Sequence, residues 1–371
     1  MRTLFEPVSL GTLKLRNRLV MSPMTRSFCP TGVPTSDVEN YYVRRASADV
    51  GLIITEGVWV DHPGASNDPA VPHFYGNAAE LAWKKIATAI HAVGGAVIPQ
   101  LWHVGCYFTP PINGDGPGSL RDDQLGPSGL AGGMGVFPRP MVRPATEREI
   151  SEMIEAFVKG GEVAYRLGFD GVAIHAAHGY LIDQFFWYVT NLRTDRYGGD
   201  VASRTRFATE IIREIRRRTH PEFPIMLRWS LWKSQDYDAR ALNTVAEMEA
   251  FLDPLVAAGV DIFDCSQRRF WEPIFANSDL NLAGWTRKLT GKPTMTVGSV
   301  GLNLELFASM TGETCKPASL DRLEEMLARG DFDLVGVGRA LLSDPAWVLK
   351  VRDNAIDAIV PFSRRSLQRL Y

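Results

Sequence analysis

The alternation of short apolar runs with longer helical patterns along the chain constrains the fold most. Eight runs are predicted to be strands: 18–23, 51–57, 96–102, 171–177, 224–230, 261–266, 293–299 and 333–338. They read as continuous apolar stretches, which is typical of parallel strands buried on both faces. Eight strand–helix units in one chain predict an α/β fold, the (β/α)8 or TIM barrel.

Helical patterns fill the intervals between these runs. They cover 79–93, a long stretch starting at Thr146, 203–219, 244–258, 320–329 and a last segment from about 345. Thr146 is followed by acidic residues, as is common in the first turn of a helix. An open doubly wound sheet is the alternative, but no GxGxxG motif follows the first strand.

Three further segments shape the predicted barrel. Residues 4–15 read as a hairpin turning near Gly11, which would act as a lid over the bottom of the barrel. Two long Gly/Pro-rich segments, 60–77 and 103–145, follow the second and third strands. Loops of this length are usually functional or disordered, and both leave the face where barrel active sites are built.

Composition narrows the class of protein. The 371 residues are 45% hydrophobic with a net charge of −2, which fits one barrel domain over 1–371 and argues against nucleic acid or an anionic membrane as obligate partner. No apolar run reaches the roughly 18 residues of a membrane span. The N-terminal MRTLFEPVSLG has no apolar core of a signal peptide, so we expect a cytoplasmic protein.

Cysteine usage points the same way. The four cysteines are Cys29, Cys106, Cys265 and Cys315, and none lies in a CxxC pair. A local zinc site, an iron–sulfur cluster and a disulfide framework are therefore not expected.

Polar residues of chemical interest fall near the ends of the predicted strands. They are Thr25, Gln100, His103, His175, His178 and Arg228. A barrel brings strand ends to one mouth, so we expect these side chains to converge although they are distant in sequence.

The last two strands end in glycine-rich turns, GSVG (298–301) and GVGR (336–339). Loops after strands seven and eight of a barrel commonly hold a phosphate. Glycines expose backbone N–H groups, and Arg339 offers a forked cation. The plainer interpretation, that these glycines only turn the chain, stays open for each motif taken alone.

Arg228 lies within an apolar run, IMLRW. A buried arginine needs an anion or a dense set of acceptors. It could form an ion pair inside the barrel, or it could hold its charge against a cofactor or a substrate oxyanion.

His175 and His178 lie in HAAHGY, with Tyr180 two residues further on. Three interpretations compete. The pair could bind a metal with His103 as a third ligand, in a metal-dependent lyase or hydrolase, although no acidic residue sits at a matching strand end. The histidines could be structural. They could also clamp a carbonyl or nitro oxygen while Tyr180 supplies a proton.

The stretch HAAHGYLIDQFF, continuing into TNLRTDRYGGD (190–200), resembles the strand-four signature of the old yellow enzyme family of FMN-dependent ene-reductases. SPMTR (22–26), TEG (55–57), PQLWHVG (99–105), LRWS (227–230) and VGVGRALLSDP (335–345) match the same family in the same order. The resemblance runs from the first hairpin to about Val351.

The resemblance implies a role for each matching position. The residues expected to bind FMN are Ser22, Pro23, Met24, Thr25, Gly57, Gln100, Arg228, Gly298, Ser299, Gly301, Gly338 and Arg339. His175 and His178 would hold the activating oxygen of the substrate, Tyr180 would protonate it, and Trp102 would shape the pocket. Within the motif, Asn191, Arg193 and Tyr197 are interpreted as loop structure, because their polar groups can bind backbone.

Several positions depart from the family pattern. Cys106 stands where many relatives have arginine, Ala340 and Leu341 follow the GR pair where some have tyrosine, and Thr25 stands where another branch of the family has a redox-tuning cysteine. The segments 104–145 and 267–285 are individual to this chain.

The implied reaction is ping-pong. NAD(P)H reduces noncovalently bound FMN, and hydride then passes to the β carbon of an enone, enal, maleimide or nitroalkene while Tyr180 protonates the α carbon. The implied enzyme is an NAD(P)H-dependent flavin oxidoreductase of ene-reductase or NADPH dehydrogenase type, a monomer or homodimer that needs no metal.

Overall fold

A computed structural model describes residues 3–108, 120–310 and 315–371. A closed barrel of eight parallel strands forms its centre, and each barrel strand pairs with the next along the chain until the last pairs with the first. The barrel strands are β3 (Leu19–Met21), β4 (Leu52–Trp59), β5 (Ala96–Trp102), β8 (Val172–His178), β9 (Ile225–Lys233), β10 (Ile262–Ser266), β11 (Thr294–Val297) and β12 (Leu334–Val337). The predicted (β/α)8 barrel is confirmed.

Helices cover the outside of the barrel. They are α1 (Ser36–Ser47), α2 (Asn77–Ala92), α3 (Glu147–Leu167), α4 (Leu181–Phe186), α5 (Arg206–Arg218), α6 (Val245–Ala258), α7 (Leu282–Thr290), α8 (Leu306–Met310), α9 (Asp321–Ala328), α10 (Arg339–Ser343) and α11 (Trp347–Arg352). Short 3-10 turns lie at Thr3–Phe5, Ser203–Thr205, Ile356–Ala358 and Arg364–Gln368. No helix in the described part of the chain is long and apolar enough to cross a membrane.

Local chemistry explains where the predicted helices begin. Thr146 caps α3 in a reciprocal capping box with Glu149, and Thr244 forms the same arrangement with Glu247 at the start of α6. Each box satisfies N–H groups at the helix start that no turn of the helix can reach.

The interior of the barrel is filled by apolar side chains from its strands. This cluster contains Val20, Leu52, Ile54, Ala96, Ile98, Ala173, Met226, Ile262, Met295 and Leu334. Leu13 and Leu15 join it from the hairpin of β1 (Val8–Leu10) and β2 (Leu13–Leu15). The predicted N-terminal hairpin is therefore present and packs against the interior cluster of the barrel.

The helices α1, α4, α7, α8 and α10 and a hairpin within segment 103–145 were not predicted. Helix α1 connects the first two barrel strands, and α7 extends across the end of segment 267–285. Within segment 103–145, β6 (Leu130–Gly133) and β7 (Val136–Pro140) form an antiparallel hairpin. The glycine- and proline-rich TPPINGDGPG of the same segment (109–118) lies outside the described residues.

Candidate functional site

A cavity of about 410 Å³ opens at the carboxyl ends of the barrel strands. A second cavity of about 140 Å³ shares five of its lining residues: Pro23, Thr25, His178, Tyr180 and Arg228. We call these the large and the small cavity. The large cavity is also lined by the predicted residues Ser22, Met24, Gly298, Ser299, Gly338 and Arg339, and the small one by Gly57, Gln100, Trp102 and His175. The predicted residues on seven of the barrel strands, or directly after them, therefore converge on these two cavities.

Gly301 is the exception among the predicted cofactor residues. It lines a separate cavity, where a β carbon on it would lie 2.8 Å from the indole of Trp347. Its carbonyl accepts a hydrogen bond of 3.1 Å from the amide of Ala318. Gly301 is thus a position of tight packing, and the structure does not bring it to the wall of the large cavity.

Arg228 lies at the centre of a row of polar side chains across three strands. Its register partners are His175 on β8 and Asp264 on β10. Arg228 Nη1 donates to Asp264 Oδ2 at 2.7 Å, and both side chains are less than a tenth exposed. Arg228 therefore forms the buried ion pair that the sequence left open, and it also lines both cavities.

The two histidines of HAAHGY lie side by side, with ring centroids 5.2 Å apart. Burial and the nearby Arg228 charge hold the pKa of His175 well below its usual range, and the same causes act on His178. Both rings are therefore neutral at pH 7 and carry one N–H each. His178 Nε2 lies 2.8 Å from Ser266 Oγ, whereas His175 Nδ1 is buried without a hydrogen-bond partner.

Tyr180 packs among aromatic rings at the junction of the two cavities. Its ring lies edge-on to Trp102 at a centroid distance of 5.2 Å, 4.8 Å from Tyr107 and 5.3 Å from His175. Burial, with a smaller contribution from Tyr107, raises the pKa of the Tyr180 phenol. The phenol consequently keeps its proton throughout the neutral range.

A tight turn at residues 178–180, the clamp turn, sets the direction of His178 and Tyr180. His178 has a φ of 65° and Gly179 a φ of 80°, the left-handed region that side chains rarely adopt. A β carbon on Gly179 would lie 1.8 Å from Gln235 Oε1. The turn is held by Asp183, whose Oδ2 accepts from the Gly179 amide at 2.7 Å and whose Oδ1 pairs with Lys233 Nζ at 2.5 Å.

The residues predicted to bind the phosphate, other than Gly301, line another part of the large cavity. Arg339 donates to the carbonyls of Leu304 and Glu305 at 2.8 and 3.0 Å, so the loop after β11 fixes its fork. Ser299, at a φ of 54°, also lies on this wall. Arg268 is a second cation there that the sequence analysis did not select.

The histidines of the proposed metal site are not assembled. His103 Nε2 lies 2.9 Å from His62 Nδ1, and His103 lines neither cavity. Within residues 3–108, 120–310 and 315–371, no group of three or more His, Cys, Asp or Glu side chains is arranged to hold a metal.

The polar residues after the clamp turn bind backbone. Asn191 Nδ2 donates to the carbonyls of Phe185 and Tyr197, and Arg193 Nη1 donates to those of Pro127 and Ala145. The side chains of Asn191 and Arg193 therefore bind loop backbone, as predicted, whereas the Tyr197 hydroxyl donates to the side chain of Glu210 at 2.9 Å.

Sequence reasoning missed several residues of the cavity wall. Trp232 stacks on His178 at a centroid distance of 4.4 Å, and Ser266 binds the same imidazole. The other side chains not predicted include Met134, Ser234, Tyr237, Gln267 and Phe362. The run IFDCS carries polar residues two apart, a strand-period signal that would have indicated Asp264 and Ser266.

The donor set fits a flavin. Four buried polar atoms around the cavities have no hydrogen-bond partner among the described residues: Ser22 Oγ, Gln100 Nε2, Trp102 Nε1 and His175 Nδ1. Buried polar groups are rarely left unsatisfied, so these atoms indicate a ligand edge rich in donors and acceptors. The isoalloxazine ring of FMN offers such an edge, and Arg339 and Arg268 lie on the wall where a phosphate would be bound.

Comparison with known proteins agrees with this geometry. The family model described as NADH:flavin oxidoreductase / NADH oxidase matches residues 3–357. An NADH oxidase of Thermoanaerobacter brockii is 32% identical over 95% of this chain and 51% of its own length. The 12-oxophytodienoate reductase 7 of Oryza sativa is 38% identical over 57% of this chain and 54% of its own length. The chain thus spans about half the length of these curated relatives.

A solved structure of morphinone reductase in complex with tetrahydroNAD has a TM-score of 0.78 and 25% identity, covering 98% of this chain and 93% of that one. Its barrel is therefore the same over almost the whole chain. The extent of the family match and the fold together show that the chain belongs to the NADH:flavin oxidoreductase / NADH oxidase family, the old yellow enzyme family that its motifs resemble, with FMN as cofactor.

Proposed function

We propose that the protein is an FMN-dependent ene-reductase that reduces the C=C bond of α,β-unsaturated carbonyl and nitro compounds. The observation that carries the proposal is the arrangement of Tyr180, a protonated phenol, 5.3 Å between ring centroids from the neutral imidazole of His175. The names of the rice and morphinone relatives, each a reductase of a keto compound, support this substrate class.

Different residues of the two cavities would bind different parts of the cofactor. Gln100 and Arg228 would contact the pyrimidine edge of the ring, and Thr25 the neighbouring carbonyl. Gly298, Ser299, Gly338 and Arg339 would hold the phosphate, while Ser22, Pro23, Met24 and Gly57 would line the ring. When bound, FMN accepts hydride from NAD(P)H and supplies it to the β carbon of the alkene.

His175 and His178 bind the carbonyl or nitro oxygen of the substrate. Because both imidazoles are neutral, each can donate one hydrogen bond without placing a full positive charge beside Arg228. The substrate oxygen competes with Ser266 Oγ for His178 Nε2, which the serine engages at 2.8 Å. Donors aimed at this oxygen stabilise the negative charge that develops there as the alkene is reduced.

Tyr180 delivers a proton from its hydroxyl to the α carbon. The aromatic rings of Trp102 and Tyr107 fix its direction and exclude water, so that the proton is transferred from a positioned acid. NAD(P)H and the alkene need the same cavity above the cofactor, and a ping-pong order follows.

The test separates the two half-reactions. Tyr180→Phe is expected to slow the reaction of reduced enzyme with 2-cyclohexenone by about 100-fold or more, the usual contribution of a general acid. Reduction of the enzyme by NADPH should change less than about threefold, and both rates are followed by flavin absorbance in anaerobic stopped flow.

Tyr107→Phe is the matched control, because Tyr107 is a second buried phenol whose ring packs 4.8 Å from that of Tyr180. It should keep the rate with cyclohexenone within several-fold of the wild type. Equal losses in both half-reactions of Tyr180→Phe would contradict the proton-donor role, and a purified protein without flavin absorbance would contradict the function itself.

A further inference from the structure

We propose that Asp264 is a positioning residue that fixes the Arg228 guanidinium and offsets its charge at the edge of the bound cofactor, and that it thereby sets the reduction potential of the flavin. The inference rests on the proposed contact between Arg228 and FMN. Asp264 itself lines neither cavity, so its influence would be exerted through Arg228.

Geometry ties the two side chains together. Asp264 and Arg228 are register partners on adjacent strands, and Oδ2 accepts from Nη1 at 2.7 Å. The Asp264 side chain is 1% exposed and that of Arg228 is 7% exposed, so water screens the pair little. Asp264 thus holds Nη1 of the guanidinium, Nη2 donates to Ser266 Oγ at 3.5 Å, and Arg228 lines both cavities.

Arg228 is the main polar partner of the Asp264 carboxylate. Its register partner on the other side is the apolar Met295 of β11, and Oδ1 is buried without a hydrogen-bond partner in the part of the chain that the structure describes. Burial raises the pKa of Asp264 to about 6, against the opposing effect of Arg228. The carboxylate is therefore charged at pH 8 and becomes neutral as the pH falls below 6.

The consequence is a change in net charge at the site where Arg228 would contact the cofactor. With Asp264 ionised, the Asp264–Arg228 pair carries no net charge; with Asp264 neutral, the pair carries one positive charge. Two-electron reduction of the flavin adds negative charge near Arg228, so an uncompensated guanidinium should favour the reduced form. An interaction between close, poorly screened charges readily alters an equilibrium by about tenfold.

Asp264→Asn tests the proposal on the FMN-loaded protein, since asparagine keeps the shape and one acceptor oxygen but removes the charge. The variant should shift the reduction equilibrium towards reduced flavin by about tenfold at pH 8, which is an increase of about 30 mV for a two-electron couple. The difference from the wild type should shrink at pH 5, where Asp264 is protonated. A dye of known potential reports both values without catalytic turnover.

The matched control is Asp344→Asn, a buried acid that pairs with Lys350 at 2.7 Å and does not line either cavity. It should leave the potential unchanged although it also removes a buried charge. Asp264→Glu restores the charge and should return the potential towards the wild-type value. If Asp264→Glu also shows the shifted potential, the shift comes from disturbed packing and not from the lost charge.

A variant pair separates this inference from the proposed function. In the Arg228→Gln background, adding Asp264→Asn should change the potential little, because without Arg228 the pKa of the buried Asp264 rises further and the carboxyl has little charge left to remove. An unchanged or lowered potential in Asp264→Asn with FMN fully bound would overturn the inference and leave the ene-reductase proposal standing. Failure of the wild type to bind FMN would overturn both.

Discussion

The buried ion pair behind the clamp turn gives a prediction whose size follows from the structure. Lys233 is 0% exposed and Asp183 1% exposed, with Nζ and Oδ1 2.5 Å apart. Replacing Lys233 with methionine keeps much of the volume but leaves a buried carboxylate without its counter-charge. Breaking a buried pair in this way costs about 3–5 kcal/mol of unfolding free energy.

The loss should depend on pH in a definite direction. Burial already raises the pKa of Asp183, and Lys233 opposes that shift. Without the lysine the pKa in the folded protein rises further above its unfolded value, so Asp183 takes up a proton on folding at low pH. Lys233→Met should therefore lose less stability at pH 5 than at pH 8, as measured by urea unfolding at both values.

A double variant distinguishes the charge of Asp183 from its second role. Asp183→Leu with Lys233→Met removes both charges and should recover most of the lost stability. It cannot restore the hydrogen bond to the Gly179 amide, so the clamp turn stays loosened and the affinity for phenols, which mimic the substrate oxyanion, should remain at least about tenfold weaker.

The control is an exposed pair, Arg352 with Asp49, at 3.0 Å. Arg352→Met should cost less than about 1 kcal/mol, because solvent screens such pairs. If Lys233→Met also cost less than about 1 kcal/mol, or if the double variant regained wild-type phenol affinity, the reasoning about this pair would be refuted.

Two further predictions concern Glu56 and Gly57 on strand β4. Burial raises the pKa of Glu56 to about 7, above its usual value near 4.5, so the ionised carboxyl opposes folding increasingly as the pH rises through that window. Glu56→Gln should remove this dependence, so its stability relative to the wild type should be about 2.5 kcal/mol greater at pH 8 than at pH 5 in urea unfolding. A β carbon on Gly57 would lie 2.9 Å from the Trp102 ring; Gly57→Ala should therefore cost about 1–3 kcal/mol of stability and weaken FMN binding about tenfold, and unchanged values in fluorescence titration would contradict the close-packing argument.

Much of the fold could be predicted because a parallel barrel leaves a local signal. Its strands are buried on both faces, so they appear as apolar runs, and all eight predicted runs overlap observed strands. Helix α1 escaped notice because its sequence, SDVENYYVRRAS, mixes buried tyrosines with many charges. The β6–β7 hairpin was not predicted because glycines and prolines interrupt both strands. Neither strand alone shows the alternation of apolar and polar residues that would have indicated its pairing.

The candidate site was predictable where chemistry coincides with a motif. His175, His178 and Tyr180 belong to one stretch, and the strand-end argument brought Gln100 and Arg228 to them. Trp232 could not be assigned in the same way, because its importance comes from its contact with His178 across strands. The alternation in IFDCS could have indicated Asp264, but only the structure shows its pairing with Arg228. Gly301 was selected for its motif, whereas its surroundings place it against Trp347.

The most direct test of the account follows the two hydrogens added to an alkene. The holoenzyme would reduce 2-methyl-2-cyclohexenone, once with NADPH deuterated at the transferred position in ordinary water and once with ordinary NADPH in heavy water, and the product would be examined by NMR. The proposed mechanism predicts one deuterium at the β carbon in the first case and one at the α carbon in the second, with Tyr180→Phe slowing product formation. Absence of the saturated ketone, or solvent deuterium at the β carbon, would contradict it.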